Sequence, residues 1–167
     1  AHFDPDLLGK SAEILVSTHG ALRMAFHVNG QGPVQVARET LPDVLISYDF
    51  CGRDDSDPLL DQLESEARNH VYTLSEPPAF QIIYVSKDGG RSSLMVCMDH
   101  IIADAHSVQL LLQELFDLYT RLFRGDSVDE HRRSGHFERY VRAWEEHEGT
   151  PLSTSDEAYW RETLSGA

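Results

Sequence analysis

The stretch SSLMVCMDHIIADAHSVQLLLQELFDLY, residues 92–119, constrains the fold more than any other part of the chain. Residues 92–98 are apolar on both alternating faces, the pattern of a strand covered on both sides. Val108, Leu111, Leu112, Leu115, Tyr119 and Leu122 then recur as one apolar stripe of a helix. Between strand and helix lies a polar corner, Asp99 to Ser107, of the kind that points side chains into a cleft at the strand's carboxyl end. A sheet with at least one helix packed on it is therefore required.

The rest of the chain supplies partners for that unit. Asp4 then Pro5 reads as an N-cap followed by proline at the first helical position, and Leu8, Ala12, Leu15 and Val16 continue at helical spacing. The helix should end near His19 and Gly20. LRMAFHV (22–28) and PVQVARE (33–39), joined by NGQG, read as a strand pair, and DVLISYDF (43–50) as a further strand. CGRDDSDP is a loop before LLDQLESEARNHVY (59–72), a helix with an acidic outer face. PPAFQIIYVS and SSLMVCM form a hairpin around KDGGR. After the stripe, RGDSVDEHRR (124–133) reads as a loop, HFERYVRAWEEHE (136–148) as a helix, GTPLSTSD (149–156) as a break and EAYWRETL (157–164) as a last short helix. Strands and helices mix without strict alternation, so the class is α+β. There is no internal repeat or low-complexity tract.

Composition narrows the function. The 167 residues suit one domain or one lobe of a larger unit, and 41% hydrophobic residues are enough for a core. Twenty-eight acidic against 14 basic residues leave a net charge of −14, which disfavours nucleic acid and anionic membrane surfaces as partners. No apolar run approaches a membrane span and no signal-type stretch opens the chain. Cys51 and Cys97 do not make a disulfide framework. Cys97 reads as a buried thiol, and a reducing, cytoplasmic setting is expected. The chain opens without Met and runs straight into a helix pattern, as a processed or excised piece would.

At the corner, His100 falls just past the strand. A histidine there can take a proton from an incoming nucleophile, because histidine titrates near neutral pH. Asp104 has three readings: it caps the helix, orients the imidazole, or pairs with an arginine to fix the loop. Asp99 should point to the opposite side of the strand from His100. Ser107 sits in the first helical turn, where serine is common. Taken alone, H-x-x-x-D is also what surface polarity and helix capping produce. A metal on Asp99, His100, Asp104 and His106 would need neighbours on a strand to converge, and no C-x-x-C or H-E-x-x-H accompanies them. No metal is expected.

These residues resemble the condensation-domain superfamily, the condensation domains of non-ribosomal peptide synthetases and related stand-alone acyltransferases on the chloramphenicol-acetyltransferase-like fold. Its H-H-x-x-x-D-G signature is similar to Asp99-His100-Ile101-Ile102-Ala103-Asp104-Ala105. STHGALRMAF (17–26) resembles its R-H-x-x-L-R-x-F stretch, with His19, Leu22, Arg23 and Phe26 in place. ELFDLY (114–119) is similar to the ending of its next helix, FERYVRAW (137–144) is a spacing-shifted match to its tyrosine–tryptophan motif, and YWRETLSG (159–166) resembles the close of its N-terminal lobe. The matches span most of the chain in the family's order.

The resemblance implies an α+β lobe, residues 1–167, with a mixed sheet covered by helices, half of a two-lobed domain whose C-terminal lobe is absent. It implies attack of an amine or hydroxyl on an acyl thioester. The donor is carried on the phosphopantetheine arm of an acyl or peptidyl carrier protein, or on CoA, and no cofactor is bound directly. His100 corresponds to the catalytic histidine, Asp104 to a structural aspartate and Arg23 to the arginine that pairs with it. Asp99, Ala105 and Ser107 would line the site. The departures are Asp99 for the first histidine, Ala105 for glycine and Thr18 for an arginine. Asp99, Asp104 and Ser107 also fit the D-x-x-x-x-D-x-x-S of heterocyclization domains, which do not normally keep a histidine at position 100. A non-catalytic recruitment or docking lobe is the remaining reading.

Overall fold

The computed structural model describes residues 3–41, 44–128, 136–148 and 150–165, which belong to two compact units, residues 1–133 and 134–167. In the first unit, helix α1 (Pro5–Thr18) begins as its sequence requires. The Asp4 carboxylate accepts from the N–H groups of Asp6 and Leu7, and Pro5 takes the first helical position. Leu8, Ala12, Leu15 and Val16 are all buried. A 3₁₀ turn, Gly20–Arg23, then leads into an antiparallel pair, β1 (Met24–Asn29) and β2 (Gly32–Ala37). Leu22 and Arg23 belong to that turn and not to the expected strand. The Leu22 N–H donates to the His19 carbonyl at 3.2 Å and closes that turn, and the ladder with β2 begins only at Met24, opposite Ala37.

The second sheet has the order β3 (Leu45–Asp49), β4 (Phe80–Lys87), β5 (Arg91–Met98). β3 runs parallel to β4, through helix α2 (Ser56–Arg68), and β4 pairs antiparallel with β5. Helices cover both faces. Phe80, Ile82 and Tyr84 of β4, with Leu94, Val96 and Met98 of β5, pack against Leu8 and Leu15 of α1. Leu115 and Leu118 of α3 (Ala105–Phe123) join the same cluster. The alternate residues Ile83, Val85, Met95 and Cys97 pack against Leu59, Leu60, Leu63 and Ala67 of α2.

β5 departs from the expected burial. Its residues 92–98 are only half-buried, whereas β4 is buried almost throughout. β4 has a strand on each side, and among the described residues β5 has one on a single side. Both runs are equally apolar, so alternation alone does not separate central from edge strand.

Three local devices fasten these layers. The Tyr84 hydroxyl donates to the Phe3 carbonyl at 3.1 Å, and the Asp4 N–H donates to the Tyr119 hydroxyl at 2.9 Å, tying the start of α1 to β4 and α3. The Phe3 ring stacks on Phe116 and meets Tyr119 edge-on at 4.9 Å. At the far end of β4, buried Lys87 pairs with Asp57 in the first turn of α2. That ammonium holds the Asp57 carboxyl below the usual carboxylate range. α2 therefore starts at Ser56, before the expected Leu59. It ends at Arg68, where the Asn69 backbone and side-chain N–H groups both close on the Ser65 carbonyl, at 3.1 and 2.7 Å.

The second unit contains α4 (His136–His147) and α5 (Pro151–Leu164). α5 replaces most of the expected break. The Thr150 hydroxyl accepts from the Ser153 N–H at 3.3 Å and Pro151 sits at the first helical position, so the helix begins well before Glu157. Asp43 of the third expected strand, residues 129–133 of the expected loop, Gly149 of the break and Gly166 of the closing motif lie outside the described residues. No described helix is long and apolar enough to cross a membrane.

Leu115 is 1% exposed and Leu110, on the same helix, is 52% exposed. Leu115→Ala should lower stability by about 2–5 kcal/mol in urea unfolding, whereas Leu110→Ala should stay within about 0.5 kcal/mol of the parent.

Candidate functional site

The corner is built from backbone hydrogen bonds and two aspartates. β5 ends at Met98, but the Asp99 N–H still donates to the Ala79 carbonyl at 2.9 Å, extending the ladder by a step. The chain then turns. The Ile102 N–H donates to the Asp99 carbonyl at 3.2 Å, and the Ile101 N–H donates to Asp99 Oδ1 at 2.9 Å. Backbone and side chain of Asp99 thus close the same turn. His100 stands inside it, exposed, and its ring has no hydrogen-bond partner among the described residues.

Asp104 ends the turn and starts α3. Its Oδ1 accepts from the Ser107 N–H at 2.8 Å and from the Ser107 hydroxyl at 2.6 Å. Those two bonds, hydroxyl first, hold the Asp104 carboxyl below the usual carboxylate range, and His106 adds to the effect. Ala105 is the first helical residue and is exposed. No described residue other than glycine has a positive φ, so alanine in place of the family's glycine meets no backbone strain there.

Arg23 is engaged elsewhere. It is 7% exposed. Its guanidinium donates from Nε to the Val16 carbonyl at 3.1 Å, and from its terminal nitrogens to the carbonyls of Arg38, Glu39 and Ser17. No ion pair joins it to Asp104, whose carboxylate is exposed and bonded to Ser107. This corrects the pairing that the resemblance implied. The fork of a guanidinium suits several carbonyls at once, so Arg23 fastens the end of α1 to the segment after β2. His19, from the same motif, ties α1 to α3 through Nε2 and Glu114 Oε2, 2.7 Å apart.

The structure therefore brings Asp104 and Ser107 together and places Asp99 and His100 in one turn, while Arg23 stands apart from Asp104. One neighbour has no signal in the sequence. Tyr72, outside α2, donates its hydroxyl to the Cys97 carbonyl at 2.9 Å. Cys97 is half-buried and burial pushes its thiol up. Among the described residues, no three His, Cys, Asp or Glu side chains converge as metal ligands.

A family profile described as Condensation domain matches residues 1–167. Malpinin synthetase of Mortierella alpina is 30% identical over 166 residues, covering 96% of this chain and 2% of that protein. The first condensation domain of the calcium-dependent antibiotic synthetase superposes with a TM-score of 0.83 at 21% identity, over 99% of this chain and 40% of that one. The cyclization-docking bidomain of the EpoB non-ribosomal peptide synthetase from Sorangium cellulosum gives 0.79 at 20% identity, over 98% and 32%. The chain thus spans well under half of each. These structural likenesses establish the fold, α+β on the chloramphenicol-acetyltransferase-like plan.

Two outcomes are expected. Asp104→Ala should speed amide hydrogen exchange at Ser107 and the following residues of α3, while Asp104→Asn, which still caps, should not. Because folding depresses the Asp104 pKa, the cap is at full strength above the ordinary carboxylate range and weakens as pH falls through the folded value. Protection in the wild type should fade with acid in that window, and protection in Asp104→Ala should not. Arg23→Lys, which keeps the charge but not the fork, should destabilise by about 1–3 kcal/mol, read as a lower midpoint in urea.

Proposed function

Because this chain belongs to the condensation-domain family, we propose that it is the N-terminal lobe of a condensation-type domain in non-ribosomal peptide or related secondary-metabolite biosynthesis. Its reaction is acyl transfer. An amine or hydroxyl acceptor attacks the carbonyl of an acyl thioester held on the phosphopantetheine arm of a carrier protein, or on CoA. The new C–N or C–O bond forms as the acceptor's proton passes to His100. The C–S bond then breaks, and the departing sulfur takes up a proton and leaves as a thiol.

The observation that carries this reading is the display of His100. It is exposed on a turn that Asp99 closes, directly after a strand anchored in the core, while Asp104 caps the helix that follows. A carboxylate that already accepts two hydrogen bonds is a poor base, and an imidazole without a partner has a lone pair to offer. Asp104 and Ser107 are positioning groups, and Arg23 acts further away by fastening the end of α1. The solved relatives extend well beyond this chain. In this reading the second lobe supplies the other wall of the site, and the partners are acyl or peptidyl carrier domains and neighbouring synthetase domains in the cytoplasm.

In the complete two-lobed protein, His100→Ala should cut product formation at least about a hundredfold with carrier-bound donor supplied in excess. The readout is product mass against time, and turnover equal to wild type overturns the role given to His100.

A further inference from the structure

We infer that Tyr72 is a positioning residue for His100: its hydroxyl, hydrogen-bonded to the Cys97 carbonyl, holds the end of β5 from which the His100 turn departs. The inference rests on the acyl-transfer reading above.

Tyr72 belongs to the segment 69–79 that joins α2 to β4. That segment is fastened at three points, one within β1 and two at the end of β5. The Tyr72 hydroxyl donates to the Cys97 carbonyl at 2.9 Å. The Phe26 N–H donates to the Leu74 carbonyl at 2.8 Å, and the Asp99 N–H donates to the Ala79 carbonyl at 2.9 Å. The first and last of these bracket Met98, so they grip the strand at the residues just before His100. The grip matters because β5 has a strand neighbour on one side only among the described residues, and strand ends with few partners fray first.

A neighbouring ring and a raised pKa suit the tyrosine to this task. The His70 ring meets its ring edge-on, centroids 4.7 Å apart at 70°, which fixes the ring's orientation. The phenol is pushed up to about 12, by burial first and then by the negative charge of Cys97, once that thiol is ionised, and of Asp99. The hydroxyl therefore stays a donor throughout the range in which histidine titrates. Asp99, which closes the His100 turn through Ile101, also adds its charge to the upward shift of the phenol.

Tyr72→Phe removes one oxygen and keeps the ring. In the complete two-lobed protein it should lower kcat between about ten- and a hundredfold, the scale of a displaced reacting group, with KM for donor and acceptor and Tm unchanged. In a His100→Ala background the same substitution should cause no further loss, because what it positions is already gone. Unchanged kcat, a fall in Tm that accounts for the loss, or an equal loss in the His100→Ala background each overturns the inference. If His100→Ala alone keeps full turnover, the role of His100 in the acyl-transfer reading has failed, and that of Tyr72 with it. If His100→Ala is inactive and Tyr72→Phe is fully active, only the role of Tyr72 has.

Discussion

The burial of β4 decides where everything else goes. Ile82 and Tyr84 on one face and Ile83 and Val85 on the other are each removed from water by a different helical layer. A slip of one residue would exchange these sets, so the register with β5 is held by both faces at once. With Phe80 opposite Met98, the last residue of β5 has a set height in the sheet. The turn that carries His100 begins one residue later. Leu115 and Leu118 dock α3 on the same face of the same strands, which places the helix start as firmly as the strand end.

The acidic composition conceals how charge is used inside. Arg23 and Lys87, both 7% exposed, are the buried cations among the described residues. Each is placed by a different rule. Arg23 lies against backbone carbonyls, whose partial charges are spread around its fork. Lys87 reaches a full carboxylate, Asp57, on the rim of α2. The carboxylates at the corner follow a third rule, each completing backbone N–H groups that a turn or helix start leaves open. Among the described residues the corner is held without an arginine, and Arg23 braces the end of α1.

Much of this was legible in the chain where the signal was local. Asp4 and Pro5 marked α1, Leu8 to Val16 marked its buried face, KDGGR marked the hairpin, and Asp104 marked the cap of α3. Thr150 and Pro151 carried the same kind of signal and set the start of α5, although the stretch around them reads as a break. What escaped was non-local. Tyr72 meets Cys97 across 25 residues, and Lys87 meets Asp57 across 30. Arg23 bonds to carbonyls, which every residue has, so no residue type announces its partners. The half-burial of β5 depends on which strands flank it, a property of the sheet and not of the run SSLMVCM.

Fold alone does not choose the chemistry, since a condensation domain and a cyclization bidomain superpose on this chain almost equally well. The choice falls to the side chains that the corner leaves unspent. Asp99 is engaged with Ile101, and Asp104 and Ser107 are engaged with each other. His100, alone of these four, has no hydrogen-bond partner among the described residues. An imidazole acts as a base through one nitrogen only, and which one is set by the hydrogen bond that the other makes. The turn therefore supplies position without tautomer. The partner that selects the tautomer, in the reading favoured here, comes from the substrate or from the second lobe, and this couples the chemistry of His100 to assembly of the complete domain.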